Sequence, residues 1–384
     1  MDNNKWGPMG TSISSPLHLP RTLFGRGAIT ALTPTLDVLG IRRALLVTDP
    51  GVARAGVVGR VLAAIDKPVS VVVFDGVTEN PVFADADSGA GVYTLEQCDG
   101  VIALGGGSVI DTAKYVALLA THTGTVADYA GVPNATVSLT APLIAIPTTS
   151  GTGTEANATA GIHPTSTSIA VGVDSPYLLP RVAILDPELT LSLPPRLTAA
   201  TGIDAISHCI EGYLSRNHNP FAESLALDGI ARAIRYIRRA VSAGNDISAR
   251  SEMMIAAYAG GAAISMGLGP AHAIAITCGD QGFHHGVLSG VGLVAALDEM
   301  AAKQPERAAA LAIALGVGPT ESLAKSIASL MGELGLPSTL RETGYSSSNI
   351  EALAAAAHGS FFNLSAWHHP SANEYAAMIA GSLR

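Results

Sequence analysis

DGVIALGGGSVIDTAK, Asp99 to Lys114, carries the plan of the chain. Its first part, DGVIAL, is a continuous apolar run of strand length. Three glycines, Gly105 to Gly107, break the run, and the residues after Ser108 begin a helix. Strand, glycine turn, then helix is the repeating unit of a parallel sheet with helical crossovers. Similar apolar runs occur at Arg43–Asp49 (RALLVTD), Val69–Phe74 (VSVVVF), Ala141–Ile146 (APLIAI) and Arg181–Leu185 (RVAIL). Near-continuous Val, Ile and Leu predict a sheet covered on both faces. Helical stretches fall between the runs, as at 57–65 and 111–120. Past Leu193, Pro194 and Pro195 the strand-like runs stop. Ala-rich helical stretches follow at 222–240, 250–264, 307–315 and 320–334. The expectation is an α/β domain over 1–195 and an all-α domain over 196–384, without internal repeats or a charged linker.

The chain has 384 residues, 48% hydrophobic and 14% charged, enough for two sizeable cores. A net charge of −9 argues against a nucleic-acid partner. Three cysteines, Cys98, Cys209 and Cys278, with no C-x-x-C spacing predict a reduced, cytoplasmic protein without a disulfide framework. The opening MDNNKWGPMG is polar and does not read as a secretory signal. Ala256 to Gly279 carries no Asp, Glu, Lys or Arg and is long enough to span a bilayer. Its Gly269–Pro270 break, its many small residues and His272 favour buried helix, so no membrane partner is expected.

Two glycine stretches could hold phosphates. In Gly105, Gly106, Gly107 and Ser108, with Asp111 one turn on, a strand leads into a helix N-terminus. That context brings backbone N–H groups up to a pyrophosphate. A tight turn is the plainer alternative. IPTTSGTGTE, Ile146 to Glu155, sets Thr148, Thr149 and Thr152 beside glycines, where hydroxyls suit phosphate and ribose. No G-x-x-x-x-G-K-[ST] motif is present. Asp49, ending an early run, would accept from a ribose 2′-OH and repel a 2′-phosphate, favouring NAD over NADP. It would equally serve as a turn acid.

TGIDAISHCIE, Thr201 to Glu211, puts Asp204 and His208 one helical turn apart on one face. Such a pair can share a divalent metal or cap a buried polar network. His272, His284 and His285 follow in apolar surroundings. One carboxylate with three imidazoles makes a complete donor set for Fe(II) or Zn(II).

Together these segments resemble the iron-containing (group III) alcohol dehydrogenase family, whose fold is dehydroquinate synthase-like. The likeness runs from about Leu23 onward. It rests on GGGSVIDTAK (105–114), IPTTSGTGTE (146–155), AILDPELTLSLPP (183–195) and ATGIDAISHCIEGY (200–213). The resemblance implies a Rossmann-like dinucleotide-binding domain, a helical domain and a metal in the cleft between them. It implies Asp204, His208, His272 and His285 as metal ligands, His285 being preferred over His284 because it precedes Gly286. It implies NAD contacts at Asp49, Asn80, Gly106, Gly107, Ser108, Asp111, Thr148, Thr149 and Thr152, with Leu197 near the nicotinamide. His272, His285 and His284 are the expected catalytic group. Iron is the metal the family favours, with zinc in some relatives, and a homodimer is expected.

Three departures stand out. Ile276 occupies the position of a second histidine that many members use as a candidate proton relay. No lysine lies between Lys114 and Lys303. The C-terminal segment reads Asn363 to Pro370, NLSAWHHP, so Ser365, Trp367 and His368 are candidates for shaping a distinct substrate pocket. The implied reaction exchanges hydride between a small alcohol or aldehyde and NAD, with the metal polarising the substrate oxygen. The proton would leave through water and the cofactor ribose, His284 and His368 being the alternatives. Rival readings are a hydroxyacid–oxoacid transhydrogenase, a short hydroxyacid (semialdehyde) dehydrogenase, a lyase of the dehydroquinate synthase kind, and a degenerate, non-enzymatic interaction module. Arg216 and Arg250 are expected at the surface.

Overall fold

Among the described residues every strand lies before Pro195, and only helices and loops form elements after it. The computed structural model describes residues 15–66, 68–132, 135–318 and 320–384, so the polar opening segment falls outside it. The strands are β1 Arg21–Phe24, β2 Arg43–Val47, β3 Ser70–Phe74, β4 Gly100–Gly105, β5 Leu143–Pro147, β6 Thr159–Ile162, β7 Val171–Asp174 and β8 Val182–Leu185. Six form a parallel sheet in the order β1-β8-β5-β4-β2-β3, and β6 and β7 pair antiparallel. All five expected runs became strands. β1, β6 and β7 were not anticipated, because four-residue segments such as TAGI and VGVD have no apolar run to betray them.

The helices of this part are α1 Leu32–Leu39, α2 Pro50–Arg54, α3 Val57–Ala63, α4 Phe83–Leu95 and α5 Gly107–Leu119. Side chains alternate between faces of a strand. Accordingly Val101 and Ala103 pack under α5 with Val109, Ile110, Ala113 and Val116, while Ile102 and Leu104 join α1 and α3 through Leu32, Leu36, Val57 and Val61. Every residue of β4, β5 and β8 is buried, as two covered faces require. The chain runs from β2 out to β3 and then back past β2 to β4. The strand order therefore reverses between β2 and β4, and ligands of open parallel sheets bind at such a crevice.

The helical part comprises α6 Pro195–Tyr213, α7 Pro220–Ser242, α8 Ile247–Ala263, α9 Pro270–Thr277, α10 His285–Ala302, α11 Pro305–Leu315, α12 Leu323–Glu333, α13 Leu340–Thr343, α14 Ile350–His358 and α15 Ala372–Ser382. α6 is its axis: every residue from Thr198 to Tyr213 is buried. Neighbours approach α6 closely through small residues. A Cβ on Gly286 would lie 2.4 Å from the Ala200 carbonyl oxygen, and one on Gly260 would lie 3.0 Å from that of Ala205. The two parts also meet at glycine. A Cβ on Gly261 of α8 would lie 1.9 Å from the carbonyl oxygen of Gly153, which itself has φ +63°. The stretch 256–279 is buried helix, as expected, and folds back on itself: the segments Ile247–Met266 and Pro270–Gln281 meet at 100°. No single described helix is long and apolar enough to cross a membrane.

Candidate active site

α6 presents Asp204 and His208 on one face, with His208 Nε2 3.7 Å from Asp204 Oδ1. His272 enters from α9 and brings its Nε2 to 3.9 Å from the same oxygen. His285 opens α10 and brings Nε2 to 3.8 Å. The close seat of Gly286 against Ala200 allows this, because any larger residue would push His285 away from α6. The four donor atoms lie within 4.8 Å of one another, too far apart to bond mutually. They are spaced as donors around one ion would be, at roughly 2.1 Å each. Asp204 Oδ1 and His272 Nε2 are buried and have no hydrogen-bond partner. Buried polar atoms are normally satisfied, so two orphans facing each other point to a cation between them. The residues therefore fit a divalent metal, and a carboxylate with three imidazoles suits Fe(II) or Zn(II).

A third side chain of α6, absent from the expected set, completes the arrangement. Glu211 is 1% exposed. It accepts from the backbone N–H of Ala271 at 2.8 Å and of His272 at 3.2 Å, and from His272 Nδ1. Holding Nδ1–H fixes the tautomer that leaves Nε2 as a lone-pair donor. Asp204, His208 and Glu211 follow the spacing i, i+4, i+7, so the helical period was the signal that could have found it.

The electrostatics follow from burial. Burial and the neighbouring imidazoles, outweighing the pull of Asp204, hold His208 and His285 down at about 4. Both rings are thus neutral at pH 7 and ready to ligate. Burial would also lower His272, but Glu211 and then Asp204 outweigh it and the net shift is upward. Burial would raise Asp204, but the three imidazoles bring it to about 2. One consequence concerns the metal-free protein. Between pH 6.5 and 4 the unfolded chain takes up protons that folded His208 refuses, so stability is lost as pH falls through that window. His285, 41% exposed, contributes less because solvent screens it. His272 acts oppositely and offsets part of the loss. Thermal melts of chelated protein from pH 7.5 to 4.5 should show a falling Tm, and a flat profile would contradict this assignment.

The cofactor candidates gather where the glycine turn after β4 meets the threonine loop after β5. Gly106 and Gly107 are the N-cap and first residue of α5, and no side chain caps that end. Its first N–H groups are therefore left for a ligand, as a pyrophosphate requires. A Cβ on Gly107 would lie 2.4 Å from Thr152 Cγ2, and one on Gly106 3.2 Å from Thr149 Cγ2. The two glycine stretches thus face each other, joined where the Thr148 N–H donates to the Gly105 carbonyl at 3.0 Å. We expect Gly107→Ala to separate them and weaken NADH binding about tenfold or more, about 1.4 kcal/mol. Titration of NADH fluorescence checks this, and unchanged binding would show that the turn does not touch the dinucleotide.

Ser108 Oγ donates to the Glu79 carbonyl at 2.6 Å, tying the turn to the loop that carries exposed Asn80. Asp49 stands at the end of β2, beside the crevice. Its Oδ1 caps α2 by accepting from Gly51 and Val52, so that oxygen serves the turn. Asp111 faces away from the glycine turn: it accepts from Thr154 Oγ1 and from the Gly161 N–H at 3.0 Å. Its role in this geometry is to hold the threonine loop. Lys114, fully buried, does the same by donating to oxygens of Thr154, Asn157 and Thr159. Leu197 is 36% exposed on the first turn of α6.

Several expectations are corrected or refined. Arg250 is not at the surface. It is 2% exposed and donates to Gly244 O, Thr198 Oγ1 and Leu193 O, bracing the start of α6. Arg216 is exposed, as expected. His284 caps α10, its Nδ1 accepting from the Gly286 N–H at 3.1 Å. Of the C-terminal segment, Ser365 is seated against Gly267, Trp367 is exposed and His368 turns to Glu374. Phe362, one residue before that segment and overlooked, lies with its ring centroid 5.6 Å from that of His272.

Comparison with known proteins is consistent along the whole chain. Residues 20–187 match the family model described as iron-containing alcohol dehydrogenase, and residues 198–380 that of the C-terminal part of the same family. The chain is 39% identical over 370 residues to the 4-hydroxybutyrate dehydrogenase of Cupriavidus necator, covering 93% of this chain and 96% of that protein. The crystal structure of a 1,3-propanediol oxidoreductase superposes with a TM-score of 0.91 at 31% identity, covering 97% of this chain and 100% of that one. The sulfoacetaldehyde reductase of Bifidobacterium kashiwanohense, solved with NAD+, gives a TM-score of 0.87 at 26% identity, covering 97% and 99%.

Proposed function

This chain belongs to the iron-containing alcohol dehydrogenase family and is an NAD-linked oxidoreductase acting on alcohols, and from that premise we propose how its residues divide the work and which alcohols it takes. The single observation that carries the assignment is the pair of orphaned atoms, Asp204 Oδ1 and His272 Nε2, inside a ring of four donors. Asp204, His208, His272 and His285 would hold the iron. Once bound, iron supplies a Lewis acid for the substrate oxygen and NAD supplies the hydride acceptor. Glu211 keeps His272 Nε2 aimed at the site. The facing turns of Gly106–Ser108 and Thr148–Thr152 orient the dinucleotide, with Asp49 selecting NAD by its charge, and Leu197 lies toward the nicotinamide. We divide these roles between a dinucleotide-binding part, 1–195, and a helical part, 196–384.

We infer a small neutral primary alcohol, with its aldehyde, as the substrate. Phe362 presses on His272, and Phe361, Leu364 and Trp367 are exposed apolar residues on the same segment, which carries no charge from Phe361 to Trp367. A short hydroxyacid is the second reading, motivated by the identity to the 4-hydroxybutyrate enzyme. The proton leaves by water and the cofactor ribose. Ile276 has no atom to accept it, His284 Nδ1 is taken by Gly286, and His368 is taken by Glu374.

The test is an air-free preparation assayed for total metal and for NADH turnover against C2 to C4 alcohols, their aldehydes and 4-hydroxybutyrate, with chelated protein beside it. Metal-dependent turnover with kcat/KM highest for a neutral alcohol is expected. A preference for 4-hydroxybutyrate would replace our reading with the second one. Bound NAD that never exchanges would instead indicate a transhydrogenase. In the same assay His284→Ala and His368→Ala should keep the alkaline limb of the pH–rate profile, and its loss in either variant would overturn the water path.

We further infer a cytoplasmic homodimer. The three cysteines are free and buried, which suits a reducing compartment. β1 is an edge strand whose outer side is unpaired among the described residues. Sedimentation at micromolar concentration tests the dimer.

A further inference from the structure

Ser289 lies one helical turn after His285 on α10 and is fully buried. Its Oγ is 3.3 Å from His285 Nε2, the atom that faces Asp204, and 3.0 Å from the carbonyl oxygen of His285. α10 is seated tightly here. A Cβ on Gly286 would lie 3.1 Å from Asp204 Cβ, and one on Gly290 would lie 2.5 Å from Ile203 Cγ2. Ser289, between those glycines in sequence, is thereby brought to α6 as well. Against burial, which raises Asp204, the three imidazoles and then a hydrogen bond from Ser289 hold its carboxyl down. The serine hydroxyl thus meets two of the four donors, one on each helix.

His285 is the donor that needs an anchor. The side chains of Asp204, His208 and His272 are 5% exposed or less, whereas that of His285 is 41% exposed. It is also the first residue of its helix, and helix ends fray. A partly exposed imidazole at a helix start loses rotamer freedom when it ligates, and that loss weakens binding. A neighbour that already holds the ring removes the cost. Ser289 can do so with little competition against the metal. A hydroxyl has one proton and two lone pairs. At 3.3 Å its hydrogen bond to Nε2 is long and therefore weak. When Nε2 is taken, the proton has the His285 carbonyl to turn to, so no buried donor is stranded.

We propose that Ser289 is a positioning residue for metal binding: its hydroxyl keeps the His285 ring turned toward Asp204 before an ion arrives. The inference rests on the reading of Asp204, His208, His272 and His285 as one metal site. A serine that only braced its helix would change the melting temperature and nothing else, because global stability does not enter a metal Kd measured on fully folded protein.

Chelated, full-length protein and its Ser289→Ala variant, titrated with Zn(II) against a chromophoric competing chelator well below their Tm, test this. Ser289→Ala should bind Zn(II) about tenfold more weakly, the loss that removing an outer partner of a metal site causes. The ring-nitrogen NMR signals of the histidines in both chelated proteins are compared beside it, with His285→Ala identifying the His285 pair. Those signals should shift in Ser289→Ala toward the values of a solvent-exposed histidine, while the His272 signals stay. An unchanged Zn(II) Kd overturns the proposal, and so do unmoved His285 signals. If the parent itself binds no Zn(II), the four-donor reading falls and takes the metal role of Ser289 with it. The ring signals, recorded without metal, would then show separately whether Ser289 holds His285.

Discussion

Asp204→Asn should abolish iron retention at the four-donor site and lower kcat/KM by at least about a thousandfold, the several kcal/mol that a metal contributes to stabilising developing charge. Asp204 is the one anionic donor in the ring, and all three imidazoles are spaced around its Oδ1. An amide oxygen has the same shape and no charge. Its effect on the metal-free fold has the same sign. The carboxylate is 2% exposed, yet the three imidazoles bring it to about 2, so the folded state favours its charged form. The variant should melt below the chelated parent as well as below the metal-loaded parent. Elemental analysis, kinetics and paired melts with and without chelator read all three. If the variant keeps its metal and turns over normally, Asp204 is not a ligand.

Glu211→Gln carries the second large effect. The residue serves two backbone N–H groups and one imidazole N–H at once. An amide oxygen can replace part of that, but its NH2 group would face His272 Nδ1 and favour the tautomer with the proton on Nε2, where a metal must bind. Metal affinity should fall about 10- to 100-fold. Stability should fall by about 1–3 kcal/mol for each buried donor left without a partner. Glu211→Asp should rescue neither, because the shorter side chain cannot span from α6 to both amides of α9. Metal titration separates this from a merely structural loss: an unchanged metal Kd with a lowered Tm would restrict Glu211 to bracing α9.

Much of this was legible in the sequence, for reasons that differ by element. The central strands announced themselves because β4, β5 and β8 are buried on both faces and so cannot contain polar residues. β1, β6 and β7 exist because partners elsewhere in the chain offer backbone to pair with, and no four-residue run reveals that. The four residues that the structure brings together around Asp204 Oδ1 were legible because few residue types can ligate. Glu211 was overlooked although its spacing was visible, because it hydrogen-bonds His272 instead of joining that ring. Arg250 could not be placed, since its acceptor Thr198 lies 52 residues away and only folding brings it near. His284 read as a reactive histidine because composition cannot distinguish a cap from a base; the Gly286 N–H makes the difference.

The contact between Gly153 and Gly261 bears on how such enzymes can be recombined. The two backbones touch where even one methyl group would not fit. The threonine loop and α8 must therefore be inherited as a matched pair. A chimera joined at Pro195, taking its sheet-bearing part from one parent and its helical part from another, will assemble only if both parents carry glycine on each side of that seam. Screening parental sequences for these two positions would tell a protein engineer which crosses to attempt before any gene is made.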